Sequence, residues 1–299
     1  GPVAMATIAD TAGNKKGEQL SLFSSITIIG NLIGAPLGGY VLNYFSNNGS
    51  HAIKHFHIAY FICGMIGLTS LGFTLKLFLS SRSKVHDSKS RITLKETLQR
   101  FLQGIKEVVS DYRVIITSNM EGIQNLSVGA LEAFLPIYTV TVAHLSPFHA
   151  GILWGAQIIT TILAKPVMGK ISDRYGRKPI IFSGMWICAI PFACIPLAHN
   201  FYLLLCLSAI FGIGEAFVTS SSAAMVAEFC KEQNYGAAMG TFGSIFDIGH
   251  AAGPILTGFL LAHLSYYHSF LIIAFTLILS SFIFAFTISG KTIIKGGIT

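Results

Sequence analysis

Charge is what this chain has least of. Only 11% of its 299 residues are Asp, Glu, Lys or Arg, against about 25% in a soluble domain. With 52% hydrophobic residues and a mean hydropathy of +0.64, the polar surface is too small to cover a water-soluble fold. That class is excluded, and the membrane is the class that remains. Cysteine is sparse and scattered: Cys63, Cys188, Cys194, Cys206 and Cys230 stand singly within or at the ends of apolar runs. Without a CxxC or a metal-ligand spacing they read as small buried hydrophobes, and no metal site is expected. The chain has no P-loop, nucleophile elbow or HExxH and no nucleotide-binding domain, so it reads as neither an enzyme nor an ATP-driven pump, and no cofactor is expected. No cleavable signal peptide opens it. Gly1–Ala9 is apolar, too short to span, and runs into Asp10 without a loop, as the tail of a helix that begins earlier would.

What the chain does have is long apolar runs: Leu20–Tyr44, Ile58–Leu79, Val114–Val140, Ile152–Met168, Ile180–Leu197, Tyr202–Phe229, Gly240–Leu264 and Phe270–Ile288. Each is long enough to cross a hydrocarbon core of about 30 Å as a helix. The expected fold class is therefore an all-α polytopic membrane protein with eight spans. If the loops alternate sides, 18 of the 20 Lys and Arg lie on one side; Lys54 lies opposite and Lys165 inside a span. That bias marks the cytoplasmic loops of a protein in a cell (inner or plasma) membrane, 80–113 and 169–179 among them. The net charge of +7 thus reports orientation within a lipid bilayer and not nucleic-acid binding. The opposite loops, such as AHLSPFHAG and AHLSYYHS, are His-rich and nearly uncharged, and read as interfacial surface without a zinc cluster; Asn48-Gly49-Ser50 is a formal glycosylation acceptor there. In the polar stretch 80–113, Thr93 and Glu96 form a capping box. Leu94, Leu98, Phe101, Ile105 and Val108 follow at helical spacing. The pattern predicts an amphipathic helix on the cytoplasmic leaflet, serving as a linker or as a partner-binding segment.

The chain also echoes itself. Asp10 is followed 26 residues later by Pro36 in GNLIGAPLGG, and Glu228 is followed 26 residues later by Pro254 in GHAAGPILTG. An acidic residue closes one span and a Gly/Pro motif lies deep in the next, the mark of a parallel repeat of helix groups. Between two spans lies GKISDRYGRKP, residues 169–179, in which five of eleven residues are charged. Gly169, Asp173, Arg174, Gly176, Arg177, Lys178 and Pro179 resemble the second copy of the cytoplasmic signature loop of the major facilitator superfamily, between helices eight and nine. GNLIGAPLGG is similar to the Gly/Pro signature of helix five in that family's drug:proton antiporter branch, with Ala35-Pro36 where Gly-Pro is usual.

The resemblance implies a division into 1–79 (end of helix four, helices five and six), the linker 80–113, and a six-helix C-terminal half at 114–299. Helices one to three and most of four would precede residue 1. It also implies a conformational gate. Asp173 meets the start of helix five near Glu18–Ser21, while Arg174 and Arg177 reach Glu228 at the end of helix ten; the plainer reading is a positive-inside turn. Gly34, Pro36, Gly38, Gly39, Gly253 and Pro254 would serve close helix packing.

Carboxylates inside spans are costly and seldom kept without a use. In helix seven, Glu121, Asn125, Val128 and Glu132 recur on one face, with the two carboxylates about 16 Å apart along the axis. Gln157, Thr161 and Lys165 follow in helix eight, Glu215, Thr219 and Ser222 in helix ten, and Ser244, Asp247 and His250 in helix eleven. Phe134, Tyr138 and Trp154 are either pocket lining or core. Glu121, Asn125, Glu132, Gln157, Glu215 and Asp247 are thus candidates for a substrate cavity in which a carboxylate exchanges protons, Glu132 and Glu215 foremost. The alternative is structural: bonds across helices, or Asp247 paired with Lys165 or His250. Three functions follow. The first is proton-coupled efflux of small amphipathic molecules by a monomer, with substrate and protons as partners. The second is proton-coupled or facilitative uptake of a small solute, and the third an inactive or receptor-like fragment.

Overall fold

The computed structural model describes residues 110–230 and 235–288 continuously, together with isolated helical positions at Gly34, Gly38, Tyr40, Phe61, Gly64, Met65, Gly67, Leu68, Thr69 and Gly72. The amphipathic helix expected within 80–113, Pro36, Gly39, Glu18–Ser21 and most of the first two spans lie outside the described residues. Six helices follow in order: α1 (Tyr112–Thr141), α2 (Pro147–Tyr175), α3 (Arg177–Cys194), α4 (Phe201–Phe229), α5 (Tyr235–His263) and α6 (Tyr266–Thr287). A 3-10 turn at Ile195–Leu197 closes α3. The described residues contain no strand. The fold is all-α, as the composition requires.

Side chains written into the sequence start and stop these helices. The Asp111 carboxylate accepts the backbone N–H of Arg113 at 3.0 Å and its Nη2 at 2.7 Å. That bond holds the Asp111 carboxyl below the ordinary carboxylate range. Its contribution is therefore complete above that range and fades as pH falls through it. Pro147 opens α2 behind Ser146, where a missing N–H costs nothing, and Asn200 caps α4 by accepting from Tyr202 N at 2.9 Å. Between α2 and α3 the chain turns on Gly176 alone, at φ 91°, a backbone region an L side chain rarely enters. The helices outrun the apolar runs. α2 continues beyond Met168 through the charged turn to Tyr175, because loop-like charge at a helix end does not stop a helix whose carbonyls are still paired.

α1 packs most extensively on α5, α2 on α4, and α3 against α4 and α6, so α3 and α6 stand behind the other four. Among the described residues, five helices are long and apolar enough to cross a membrane. α1 is not among them, although its 30 residues reach about 45 Å. Its buried face carries Thr117, Ser118, Glu121, Gln124, Asn125 and Ser127. The core behind it is aromatic: Phe192 stacks on Phe270 at 4.6 Å, and Tyr138, fully buried, aims its O–H at the carbonyls of Pro196 and Ala198 at 3.0 and 3.1 Å. Trp186 Nε1 donates to Ser281 Oγ at 3.1 Å, joining α3 to α6.

The α1–α5 contact is backbone on backbone. A Cβ on Gly253 would come within 2.8 Å of Ala130 N, and one on Gly249 would run into the Gly122 main chain. One on Gly129 would strike the His250 carbonyl oxygen. Small residues let two helices approach this closely without side chains between them. Gly34 and Gly38 differ: both are exposed, and a Cβ at either would meet nothing within 4 Å. Among the described residues, no partner backbone faces them. Tyr40, on the same isolated stretch, meets Phe148 at the start of α2 edge-on at 6.3 Å.

Gly129→Val should destabilise the bundle by about 3 kcal/mol or prevent its assembly, since no side-chain shift relieves a clash with main chain. Gly169→Ala, in open space within α2, should be neutral or stabilising by up to about 1 kcal/mol. Thermal unfolding in detergent micelles distinguishes the two.

Candidate functional site

Where α2 and α4 end and α3 begins, the charged turn closes on itself. Arg177 donates through Nη1 to Ser172 Oγ at 2.5 Å and through Nε and Nη2 to Glu228 Oε1 at 3.2 and 3.1 Å, and it pairs with Asp173 one turn earlier. The arginine side chain is only 16% exposed, while Asp173 and Glu228 are 63% and 58% exposed. The clasp is therefore built around a nearly buried guanidinium. Lys178 Nζ donates to the carbonyl of Ile288, just past the last residue of α6, where a cation meets the negative end of a helix. Arg174 does not reach Glu228; it lies over the Tyr175 ring at 5.6 Å. One arginine, not two, spans to α4, because successive turn residues point to different sides. Arg113, at the start of α1, covers the Phe229 ring at 4.9 Å.

Inside the bundle two carboxylates lie among α1, α2 and α4. Glu121 is fully buried. Ser222 Oγ on α4 donates to its Oε2 at 2.6 Å, and Asn125 Nδ2 lies 3.3 Å from its Oε1. Glu215, near the middle of α4, is half-buried. Its Oε2 accepts from Gln157 Nε2 at 3.2 Å and from Thr161 Oγ1 at 3.1 Å, both on α2. Lys165 and Glu215 are close enough to Glu121 for their charges to be felt there. Among the described residues, Gln157 Oε1 and Gln124 Nε2 are buried without a hydrogen-bond partner. The arrangement thus offers one sequestered carboxyl, one reachable carboxylate and an unpaired buried acceptor beside it.

The remaining candidates lie on the α1–α5 side. The Glu132 side chain is 54% exposed and pairs with His250 at 3.1 Å between Oε2 and Nε2. Asp247 is exposed, and His250 turns to Glu132 and not to it. The structural pairing of Asp247 with His250 named above as the alternative is therefore not formed: the two lie within one turn of α5, but the imidazole is held by Glu132 across the α1–α5 contact. The face shared by Glu121 and Glu132 is real along the helix axis, but its two ends meet different neighbours, α4 below and α5 above. Of the six cavity candidates, the structure brings together Glu121, Asn125, Gln157 and Glu215, and sets Glu132 and Asp247 apart. Gln124 went unnoticed in the sequence. Its spacing of three from Glu121 put it within view, but only the packing of α1 against α3, where Gln124 meets Cys188, shows it buried.

Ser222→Ala should cost about 1 kcal/mol of unfolding free energy, the scale of a hydrogen bond between membrane helices, by leaving the Glu121 carboxyl without its donor. Ser220→Ala, whose hydroxyl bonds the Ala216 carbonyl of its own helix, should leave unfolding unchanged.

The chain matches the Major Facilitator Superfamily family model over residues 1–156 and 120–293. It is 28% identical over 137 residues to a multi-drug resistance efflux pump, PmrA, of Streptococcus pneumoniae, covering 45% of this chain and 34% of that protein. It is 23% identical over 261 residues to the riboflavin transporter RibZ of Clostridioides difficile, covering 75% of this chain and 56% of that one. With a synaptic vesicular amine transporter of Bos taurus the identity is 22% over 253 residues, covering 83% and 44%. The chain therefore spans between about a third and just over half of the length of these relatives.

Proposed function

The chain belongs to the Major Facilitator Superfamily, and from that premise we propose that it serves secondary active transport: proton-coupled export of small amphipathic molecules across a cell membrane, by alternating access. The observation that carries the reading is Glu215. A half-buried carboxylate at the centre of a membrane helix is held by two donors on the neighbouring helix, Gln157 and Thr161, with an unpaired acceptor, Gln157 Oε1, beside it. Such a group can be charged while water or a cationic ligand reaches it, and take a proton when it is enclosed. Substrate and proton competing for one carboxylate give antiport. Glu121, tied to Ser222 and removed from solvent, supports that site by fixing the α1–α4 contact. The relative named as an efflux pump supports the outward direction, and the three relatives together support small molecules as the substrate class.

The cytoplasmic clasp supplies the conformational side of this reading. Exposed ion pairs contribute little stability. The Arg177 bonds to Glu228, Ser172 and Asp173 therefore matter through their geometry, which joins the α2–α3 turn to the end of α4 in one arrangement of the helices. Contacts present in one state and broken in another bias an equilibrium between them. Lys178 on Ile288 brings α6 into the same assembly.

In proteoliposomes with an imposed pH gradient and ethidium as probe, Glu215→Gln should lose gradient-driven accumulation by at least about tenfold and retain exchange down the probe's own gradient. Full accumulation in that variant would overturn the coupling role, and accumulation with the opposite sign of gradient would establish uptake.

Asp173→Asn should slow transport in both directions while inserting normally, since it weakens one contact of a clasp and no part of the core. Wild-type flux in a correctly inserted Asp173→Asn protein would remove the clasp from the mechanism.

A further inference from the structure

His250 was singled out in the sequence only as a neighbour of Asp247, and the function above makes no use of it. Its surroundings are unusual for an interfacial histidine. Nε2 lies 3.1 Å from Glu132 Oε2 across the α1–α5 contact. Nδ1 is buried and has no hydrogen-bond partner among the described residues. The ring lies parallel to Phe246, one turn earlier, with 7° between planes and 6.4 Å between centroids. The backbone carbonyl of the same residue occupies the space above Gly129. No other charged group among the described residues comes within ion-pair distance of this imidazole, and Asp247 on its own helix is exposed.

We propose that His250 and Glu132 form a second proton-binding site, separate from Glu215, which accepts its proton only when the α1–α5 seam moves. The idea rests on the transport reading for its purpose but not for its chemistry. With its proton on Nε2, a neutral imidazole in this geometry donates to the Glu132 carboxylate and leaves the buried Nδ1 as an unpaired lone pair. The pair then carries one negative charge. A proton delivered from water to Nδ1 makes imidazolium, and the pair becomes a neutral ion pair bridging the two helices. That new N–H has no acceptor where Nδ1 now sits, and an unsatisfied buried donor is costly. The ring is 40% exposed and can turn, but turning it gives up the Nε2 bond to Glu132. With that bond kept and the main chain pressed on Gly129, exposing Nδ1 requires α5 to shift along or away from α1. Proton uptake and helix movement are therefore one event. The protonated pair selects an arrangement with Nδ1 open to water, and the deprotonated pair selects the closed seam. Histidine is suited to this role, since its charge changes within the physiological range.

The test reads the nitrogen atoms directly and needs no substrate. Protein labelled with 15N-histidine is reconstituted in liposomes, and the His250 signals are assigned by their absence in His250→Gln, or in His250→Asn should that variant fail to fold. At about pH 8 the wild-type ring should be a single tautomer with the proton on Nε2; at about pH 5.5 both nitrogens should carry protons, with Nδ1–H exchanging with bulk water. Glu132→Gln should replace the single tautomer at high pH by a mixture. A ring that stays neutral at the lower pH, a mixed tautomer in the wild type, or a protonated Nδ1 shielded from exchange would each overturn the proposal. Transport separates this claim from the one it rests on. His250→Gln vesicles should lose pH-driven ethidium accumulation at least about fivefold and keep exchange. If they accumulate ethidium as the wild type does, the second site is refuted while the Glu215 reading stands. If no variant nor the wild type accumulates it, the transport reading fails and the nitrogen titration still decides the dyad.

Discussion

A carboxyl group inside a lipid-spanning bundle must find a donor on a neighbouring helix, because no water is there to supply one. Glu121 meets that requirement through Ser222 at 2.6 Å, and much of the C-terminal half is arranged around it. α1 has to run beside α4 for the bond to form. Its polar face, too rich in amide and hydroxyl groups for a lipid-facing helix, is thereby turned inward. With that face committed to α4, the glycine-bearing face of α1 meets α5, and the aromatic core formed by α3, α6 and Tyr138 closes the rear. Hydrophobic burial does not distinguish these packings when lipid is as apolar as leucine; polar pairing and close backbone contact do.

Two kinds of helix contact result, with different mechanical character. Between α2 and α4 the contact is a network: Thr161 reaches both Glu215 and the Gly212 carbonyl, and Gln157 joins them. Bonds of this sort hold a relative position and are lost together when it changes. Between α1 and α5 the contact is smooth backbone, with Gly122 facing Gly249 and Gly129 facing His250 and Pro254, and one polar tie at Glu132–His250. Ile245 against Gly122 and Pro254 against Gly129 key the two backbones together at its margin. The ionisable groups of these helices are thus divided between a hydrogen-bonded network and a glycine seam.

The clasp around Arg177 joins neighbouring helices at their ends. Arg177 binds α4 through Glu228, and Lys178 binds the end of α6 through Ile288, from adjacent positions in one turn. Glu215 and Glu228 belong to one helix, α4, so a displacement of α4 as a unit reaches both the Gln157–Thr161 network and the Arg177 bonds.

Much was legible in the sequence because it is local or compositional. Helix class, the positions of the described helices, the glycine turn at 176 and the partnership of Arg177 with Glu228 follow from hydrophobic run length and a signature of adjacent residues. Each depends on neighbours a few positions away or on a pattern carried whole within one loop. What the chain order could not express is which polar residue faces which across helices. Helical spacing put Glu121 and Glu132 on one face and put Asp247 near His250, yet the structure buries the first glutamate against Ser222, leaves the second exposed, and gives His250 to Glu132. Periodicity specifies a direction around an axis; the identity of the neighbour in that direction changes along the axis as helices cross. Those pairings exist only once the six helices are packed.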